Sequence, residues 1–407
     1  MSGDSGGQSK ITVTEPHFVT TFQCTGTQCR DHCCKGWNIH LDKATVNKYV
    51  SSKNENIRNI AKENIILLKK DIMQWGMIKL ADNTGNCPYL TEESLCQVQK
   101  TLGVQALSPI CQAFPRVERT YKNDVRKSLN LSCPEVASIV LTDPNAMMLN
   151  EKSIVKPQAN AKPALTPQQK LLNLFCLSLV DQAGRDINAG LYALIKFTLF
   201  IEKFKAVDNT ALAEIEPVYH ALLAQLQSGE LRKELSDFSA DRNIKLSLAL
   251  LLQDYFRSID GSRASGVLNY YIQCLLRTLT QDDMQSVDEG IARLEATWQK
   301  VYEQQDETGF DLKNLILYKI WENNFPNQKN VDPLRSLYMI GVEYYFIKML
   351  IAASAYERTY LEEEDVINIV YSFHSRSQHN PTVHENFHKH IETVRTGDDL
   401  SMIHLLT

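Results

Sequence analysis

Eight of the ten cysteines in this 407-residue chain fall between Cys24 and Cys133, a crowding that points to thiolate chemistry. The first group reads Phe22-Gln-Cys24, Cys29, then Cys33-Cys34-Lys-Gly36-Trp37-Asn-Ile39. Thiolates bind soft metals, and three or four of them within about ten residues can be wrapped round one ion or cluster by a single irregular loop. Gly26 and Gly36 lend the backbone freedom such a wrap needs. The plainer reading, reduced cysteines buried near one another by accident, fits poorly. Adjacent cysteines beside Gly-Trp are a poor way to fill a core.

The second group comprises Cys87-Pro88-Tyr89-Leu90, Leu95-Cys96, Cys111-Gln-Ala-Phe114-Pro115-Arg116 and Leu131-Ser-Cys133-Pro134-Glu135. The Cys-Pro steps at 87 and 133 are like the ends of cluster-binding runs. Cys24, Cys29, Cys33, Cys34, Cys87, Cys96, Cys111 and Cys133 are thus candidate ligands, twice what one four-ligand site requires. Either two sites exist or some thiols are spare. The tidy short-spaced doublets of a zinc ribbon are absent, which favours an iron–sulfur cluster and leaves zinc as the alternative metal. The radical-SAM spacing is absent too, because Cys34 follows Cys33 directly and position 36 is Gly36.

Elements must position these thiols. Ile11-Thr-Val-Thr alternates as a short strand would, and Lys43 to Leu68 carries a loose apolar stripe that predicts helix. Asp82-Asn-Thr-Gly-Asn marks a turn, and Gly103, Pro109, Pro115 and Pro134 break the chain up to residue 140 into short pieces. Beyond residue 169 the spacing predicts helices over 170–205, 209–236, 242–258, 264–279, 283–304, 310–324, 334–357, 362–376 and 382–395. The expected fold is mainly α. A disordered tail (1–10) precedes a small irregular cysteine-rich metal or cluster domain (11–140), a proline-containing linker (141–168) and an all-helical, bundle-like domain (169–407). Cys176 and Cys274 sit in apolar helical patterns and read as small buried hydrophobes.

Hydrophobic residues make up 43% and charged residues 22%, which is globular usage. The most apolar stretch, Ile340 to Ala355, is interrupted by Glu343 and Lys348 and too short to span a bilayer, so no membrane is expected. The polar, glycine-rich start lacks the apolar segment of a signal peptide, which predicts a cytoplasmic protein. The cytosol keeps thiols reduced, so clustered cysteines there bind metal or do redox chemistry rather than form disulfides. Residues 1–135 carry 17 Lys+Arg against 13 Asp+Glu, and 136–407 carry 26 against 35, without the basic patches of a nucleic-acid binder. Only 17 glycines are present, with no Gly-x-Gly-x-x-Gly loop after a strand, which argues against an ordinary Rossmann-type methyltransferase.

At the cysteine motifs the chain resembles the flagellin lysine N-methylase family, whose pattern runs Phe-x-Cys, Cys, Cys-Cys-x-Gly-Trp-x-Ile, Cys-Pro-x-Leu, Leu-Cys, Cys-x-x-Phe/Tyr-Pro-Arg and Leu-Ser-Cys-Pro-Glu. Each piece stands here, from Phe22 and Cys24 to Cys133-Pro134-Glu135, within roughly residues 11–140. The resemblance implies methyl transfer from S-adenosylmethionine to surface lysines of flagellin, with an iron–sulfur cluster, [4Fe-4S], on the cysteines. Beside the resemblance, Arg116 is a candidate for the carboxylate of S-adenosylmethionine, with a structural ion pair as the plainer reading. The competing reading is a non-catalytic module in which zinc or a redox-sensing cluster only stabilises a protein-binding domain.

Methylation needs a neutral lysine, whose free pKa is about 10.4, so a proton acceptor or desolvation is required. Tyr89, Glu135 and Asp31 lie beside cysteines and are candidate acceptors, with surface or supporting roles as the plainer reading. His384-Glu385-Asn-Phe-His388 matches a zinc-protease pattern but reads as an accident in a histidine-rich segment. Glu362-Glu-Glu-Asp365 reads as an acidic helix start and the aromatic run Leu337 to Ile347 as core.

Overall fold

The computed structural model describes residues 8–157, 160–257, 263–280, 287–304, 309–378, 385, 389, 391–392 and 400–407. The chain is mainly α, with a cysteine-rich region before a helical one. Strand β1 (Ser9–Pro16) is longer than the alternation at Ile11 predicts, and it buries Ile11 and Val13. The short strands β2 (His40–Leu41), β3 (Ile65–Leu67) and β4 (Gly76–Ile78) form one sheet in the order β2-β4-β3. β5 (Arg116–Thr120), β6 (Asp124–Leu129) and β7 (Leu149–Lys156) join β1 in a second, in the order β5-β6-β1-β7. β1 runs parallel to β6 and antiparallel to β7. This mixed sheet is not a doubly wound nucleotide-binding sheet, in keeping with the missing glycine loop.

Two expectations for residues 43–168 change. The helix predicted over 43–68 is two helices, α2 (Lys43–Val50) and α3 (Glu55–Asn64), following the short α1 (His17–Thr21). Asp42 and Asn54 each accept a backbone N–H three residues on, so each helix has its own N-cap, and β-branched Ile65 and Ile66 turn the end into β3. The stretch 141–168, read as a linker, contains β7, which is paired with all eight residues of β1. Its polar, charged composition hid a strand whose side chains are mostly exposed.

α4 (Gln97–Leu102) and α6 (Pro134–Thr142) begin just after Cys96 and Cys133, and α5 (Pro109–Ala113) contains Cys111. The helical region then runs through α7 (Pro167–Gln182), α8 (Ile187–Ile201), α9 (Asn209–Ser228), α10 (Glu230–Ser236), α11 (Arg242–Arg257), α12 (Ser265–Thr280) and α13 (Val287–Glu303). Leu312–Glu322, Pro333–Arg358 and Glu363–Gln378 come next. Thr166 starts α7 with a complete capping box and Pro167. The single helices predicted over 170–205 and 209–236 are each broken in two, at Gly184 and Gly229, which both adopt positive φ. The Pro333–Arg358 helix is long and apolar enough to cross a membrane by composition alone, yet it lies in the centre of the helical core. Its buried Lys348, near the rings of Tyr344 and Trp298, belongs to that core. Cys176 and Cys274 are buried there as well. His384 and His388 of the protease-like pattern lie outside the described residues.

Two cores decide how the thiols are held. Ile39, Leu41, Val46, Tyr49, Ile57 and Tyr89 belong to a small core around the cysteines. Phe18, Leu131 and Val136 instead belong to the large core of the helical region. The sheet is bolted to that region by buried Arg126, which stacks on Trp321 at 3.6 Å, donates to Asn173 at 2.7 Å and bonds Asn324. Trp321 Nε1 donates to the Lys127 carbonyl at 2.9 Å. The cysteine region and the helices are therefore packed together.

Candidate metal centre and the cleft beside it

Six of the eight candidate cysteines owe their places to local backbone chemistry. Trp37 Nε1 donates to the Cys33 carbonyl at 2.7 Å, and Cys87 N–H donates to the Cys34 carbonyl at 2.8 Å. The adjacent cysteines of the first loop are thus tied to the Cys-Pro turn of the second group. Leu90 bridges to Cys96, which is the N-cap of α4, and Ser108 caps α5 by accepting the Cys111 N–H. Cys133 is the N-cap of α6.

These ties bring Cys33, Cys34, Cys87, Cys96 and Cys111 round one cavity of about 60 Å³, whose apolar lining includes Trp37 and Phe114. The other three candidates lie elsewhere. Cys24 is exposed, and Cys29 feels the charge of Cys24 while itself acting on Cys133. The eight cysteines therefore divide into a five-thiol cavity and a looser trio, which spacing alone did not separate. Among the described residues, no three His, Cys, Asp or Glu side chains are gathered closely enough to hold an ion as they stand. Loading a metal would have to draw sulfurs together across the cavity.

The electrostatics of the five thiols are uneven. Hydrogen bonding with the Cys34 thiol favours the thiolate at Cys33 and at Cys96, while Cys34 itself is raised. The Gln99 and Val98 N–H groups at the start of α4 also favour the Cys96 thiolate. Burial pushes Cys87 up to about 12 and Cys111 to about 11. Thiolate-forming sulfurs beside desolvated thiols, in a largely apolar pocket, are a donor set that suits a soft metal or an iron–sulfur cluster.

One contributor comes from a part of the chain that no cysteine motif marks. Arg263, two residues before α12, is buried and donates through Nε to Asp31 Oδ2 at 3.0 Å and through Nη2 to the Asp31 carbonyl. Its backbone N–H donates to the Gly36 carbonyl at 3.2 Å, and its guanidinium lies 5.5 Å from the Phe114 ring. Gly36 has φ +68°, and a Cβ there would stand 2.1 Å from Arg263 N. Only the need for glycine beside Cys33-Cys34 was visible in advance. Arg30 reaches across as well, to Glu364 and Asn368 at 3.4 Å each.

Arg116 is exposed, with its guanidinium 5.5 Å from the Phe22 ring. With Ala113, Glu118, Lys127, Lys152 and Glu15 it lines a cleft of about 550 Å³, within the size range of small-molecule sites. Ala113 stands two residues beyond Cys111, so the α5–β5 segment separates this cleft from the thiol cavity. Among the proton-acceptor candidates, Asp31 is taken up by Arg263 and the buried Tyr89 hydroxyl donates to the Ile57 carbonyl at 3.3 Å. Burial pushes the Tyr89 phenol up, so neither is placed to take a proton from an incoming amine. Glu135 is half-buried in the first turn of α6.

Residues 173–405 match the family described as FliB lysine N-methylase C-terminal domain. Over 399 residues, 98% of this chain, it is 58% identical to the full length of the Lysine-N-methylase of Salmonella typhimurium. The Lysine-N-methylase of Salmonella choleraesuis is equally similar over the same span. The flagellar biosynthetic protein FliU of Salmonella muenchen is 63% identical over 143 residues, 35% of this chain and 85% of that protein. No solved structure matches. A family match over more than half the chain and near-complete coverage by a close relative establish that the chain belongs to the FliB lysine N-methylase family.

Proposed function

We propose that this chain is a lysine N-methyltransferase that moves a methyl group from S-adenosylmethionine to surface lysines of flagellin, in the cytoplasm, with an iron–sulfur cluster, [4Fe-4S], held by its thiols. The observation that carries the reading is the end-to-end similarity to proteins named Lysine-N-methylase, in a chain that gathers five thiols round one cavity. The flagellar names of two further relatives support flagellin as the acceptor.

In the transfer, the lone pair of a neutral lysine Nζ forms a bond to the methyl carbon as the carbon–sulfur bond breaks. The bonding electrons go to sulfur, leaving S-adenosylhomocysteine, and a proton leaves the methylated amine. Cys33, Cys34, Cys87, Cys96 and Cys111 are the pool from which the cluster's thiolate ligands would be drawn. When bound, a cluster with an open coordination position would supply a Lewis-acidic iron. The cleft at Arg116 offers a guanidinium to a carboxylate, and Glu118 is a carboxylate in the same cleft that can accept the proton.

The test is anaerobic purification with iron, sulfide and zinc analysis, followed by incubation with flagellin and S-adenosylmethionine. Mass spectrometry should show a methyl group added at lysines, together with near four irons and four sulfides per chain by the chemistry of a [4Fe-4S] centre. Stoichiometric zinc without iron removes the cluster, and unmodified flagellin removes the activity.

A further inference from the structure

We infer that Arg263 is a positioning residue of the metal centre, supplied by the helical region to carry the positive charge that a buried metal–thiolate group requires. The inference rests on the thiols holding a metal. Its basis is the placement of one side chain. Arg263 is 1% exposed, and its contacts join the loop of the first cysteine group to the second: Asp31 stands between Cys29 and Cys33, Gly36 follows Cys34, and Phe114 lines the thiol cavity. Nε and Nη2 are used on Asp31, while Nη1 is buried with no hydrogen-bond partner among the described residues. An unsatisfied charged donor is costly to bury, and it is tolerated where an acceptor arrives later.

The acceptor chemistry is set by the neighbours. The Arg263 charge acts on Cys29, Cys33 and Cys133, one member of the cavity and two of the looser trio, and favours the thiolate at each. A divalent ion held by four thiolates carries a net double negative charge, which a low-dielectric pocket disfavours unless a cation compensates it. Asp31 already offsets much of the Arg263 charge while the thiols are neutral. A metal–thiolate group would then take up the free Nη1 donor and share the guanidinium with Asp31. Arg263 belongs to the matched C-terminal domain and the cysteines precede it, so the centre is completed only when both parts of the chain are present.

The experiment uses full-length, metal-free, reduced protein titrated with Co²⁺, whose thiolate charge-transfer bands report both affinity and ligation. Arg263→Gln should weaken Co²⁺ binding roughly 10- to 100-fold and shift those bands, as loss of a group supporting a metal ligand does. Arg263→Lys should recover part of the affinity. Because an unpaired Asp31 can by itself unsettle the fold, the paired variant Asp31→Asn/Arg263→Gln keeps a neutral hydrogen-bonded pair in place of the ion pair, with circular dichroism to check folding. If the cation serves the metal, the paired variant stays weakened. Wild-type affinity and spectrum in the paired variant would overturn the inference and leave Arg263 as a partner of Asp31 alone. A wild-type chain that binds Co²⁺ without thiolate bands would instead remove the metal reading, and the inference with it.

Discussion

Replacing Gly36 by alanine tests the junction between the cysteine loop and the helices at a single atom. The new Cβ would stand 2.1 Å from Arg263 N, 2.6 Å from its Cα and 2.9 Å from its Cβ. Ordinary carbon contacts lie at about 3.5–4.0 Å, so the two backbones must part by more than about 1 Å. That movement breaks the Arg263 N–H bond to the Gly36 carbonyl, worth about 1 kcal/mol net. It also disturbs the buried Arg263–Asp31 pair, whose loss costs about 3–5 kcal/mol when one charge is stranded. A further ~1–2 kcal/mol comes from placing a side chain at φ +68°. The expected loss is on the order of 5 kcal/mol, a large part of the stability of an ordinary domain. Gly26→Ala is the control, because Gly26 has φ +56° and nothing within 4 Å of its would-be Cβ, leaving only the ~1–2 kcal/mol conformational cost. Urea unfolding of both variants by circular dichroism decides the matter. If Gly36→Ala is no more destabilising than Gly26→Ala, the close approach of Arg263 to the cysteine loop is wrong.

Three further outcomes are expected. Cys96→Ser should lower bound metal per chain, whereas Cys176→Ser should leave metal content unchanged and cost about 1–3 kcal/mol for the hydroxyl it buries in the helical core, a contrast read by metal analysis and thermal unfolding. Burial brings Lys348 from 10.5 down to about 8, so the unfolded chain binds more protons between those values and stability should rise with pH across that window, with the full penalty present below it. Lys348→Met should then stabilise the chain near pH 7 by up to about 3 kcal/mol, less the contribution of the Tyr344 and Trp298 rings, and flatten that pH dependence; an unchanged profile would mean the ammonium is solvated. Arg116→Gln should weaken binding of S-adenosylhomocysteine several-fold, a modest effect because the guanidinium is exposed, and calorimetry showing wild-type affinity would take the carboxylate away from this cleft.

The mainly helical class, and a cysteine-rich region ahead of it, were legible in the residues themselves. A crowd of cysteines on irregular backbone and apolar spacing at three and four residues are local signals, and local signals survive without tertiary context. The strand at β1 was legible for the same reason, since Ile11 and Val13 alternate with polar neighbours. β5 and β7 were not, because these edge strands carry mainly exposed, charged side chains, and their strand character comes from ladders with β6 and β1. The helix breaks at Gly184 and Gly229 fall in short polar stretches, Asp181 to Asp186 and Gln227 to Glu230, which the apolar spacing on either side runs across. Sequence also placed eight thiols on one footing. Only the packing of the Cys-Pro turn, the N-cap of α4 and the capped α5 round a shared small core divides them into five and three. Arg263 lies outside every motif, and a single arginine before a helix carries no mark of its destination. Its role is set by the fold that buries it against Asp31 and Gly36, because a charge acquires meaning from the low-dielectric surroundings and partners that tertiary structure alone assembles.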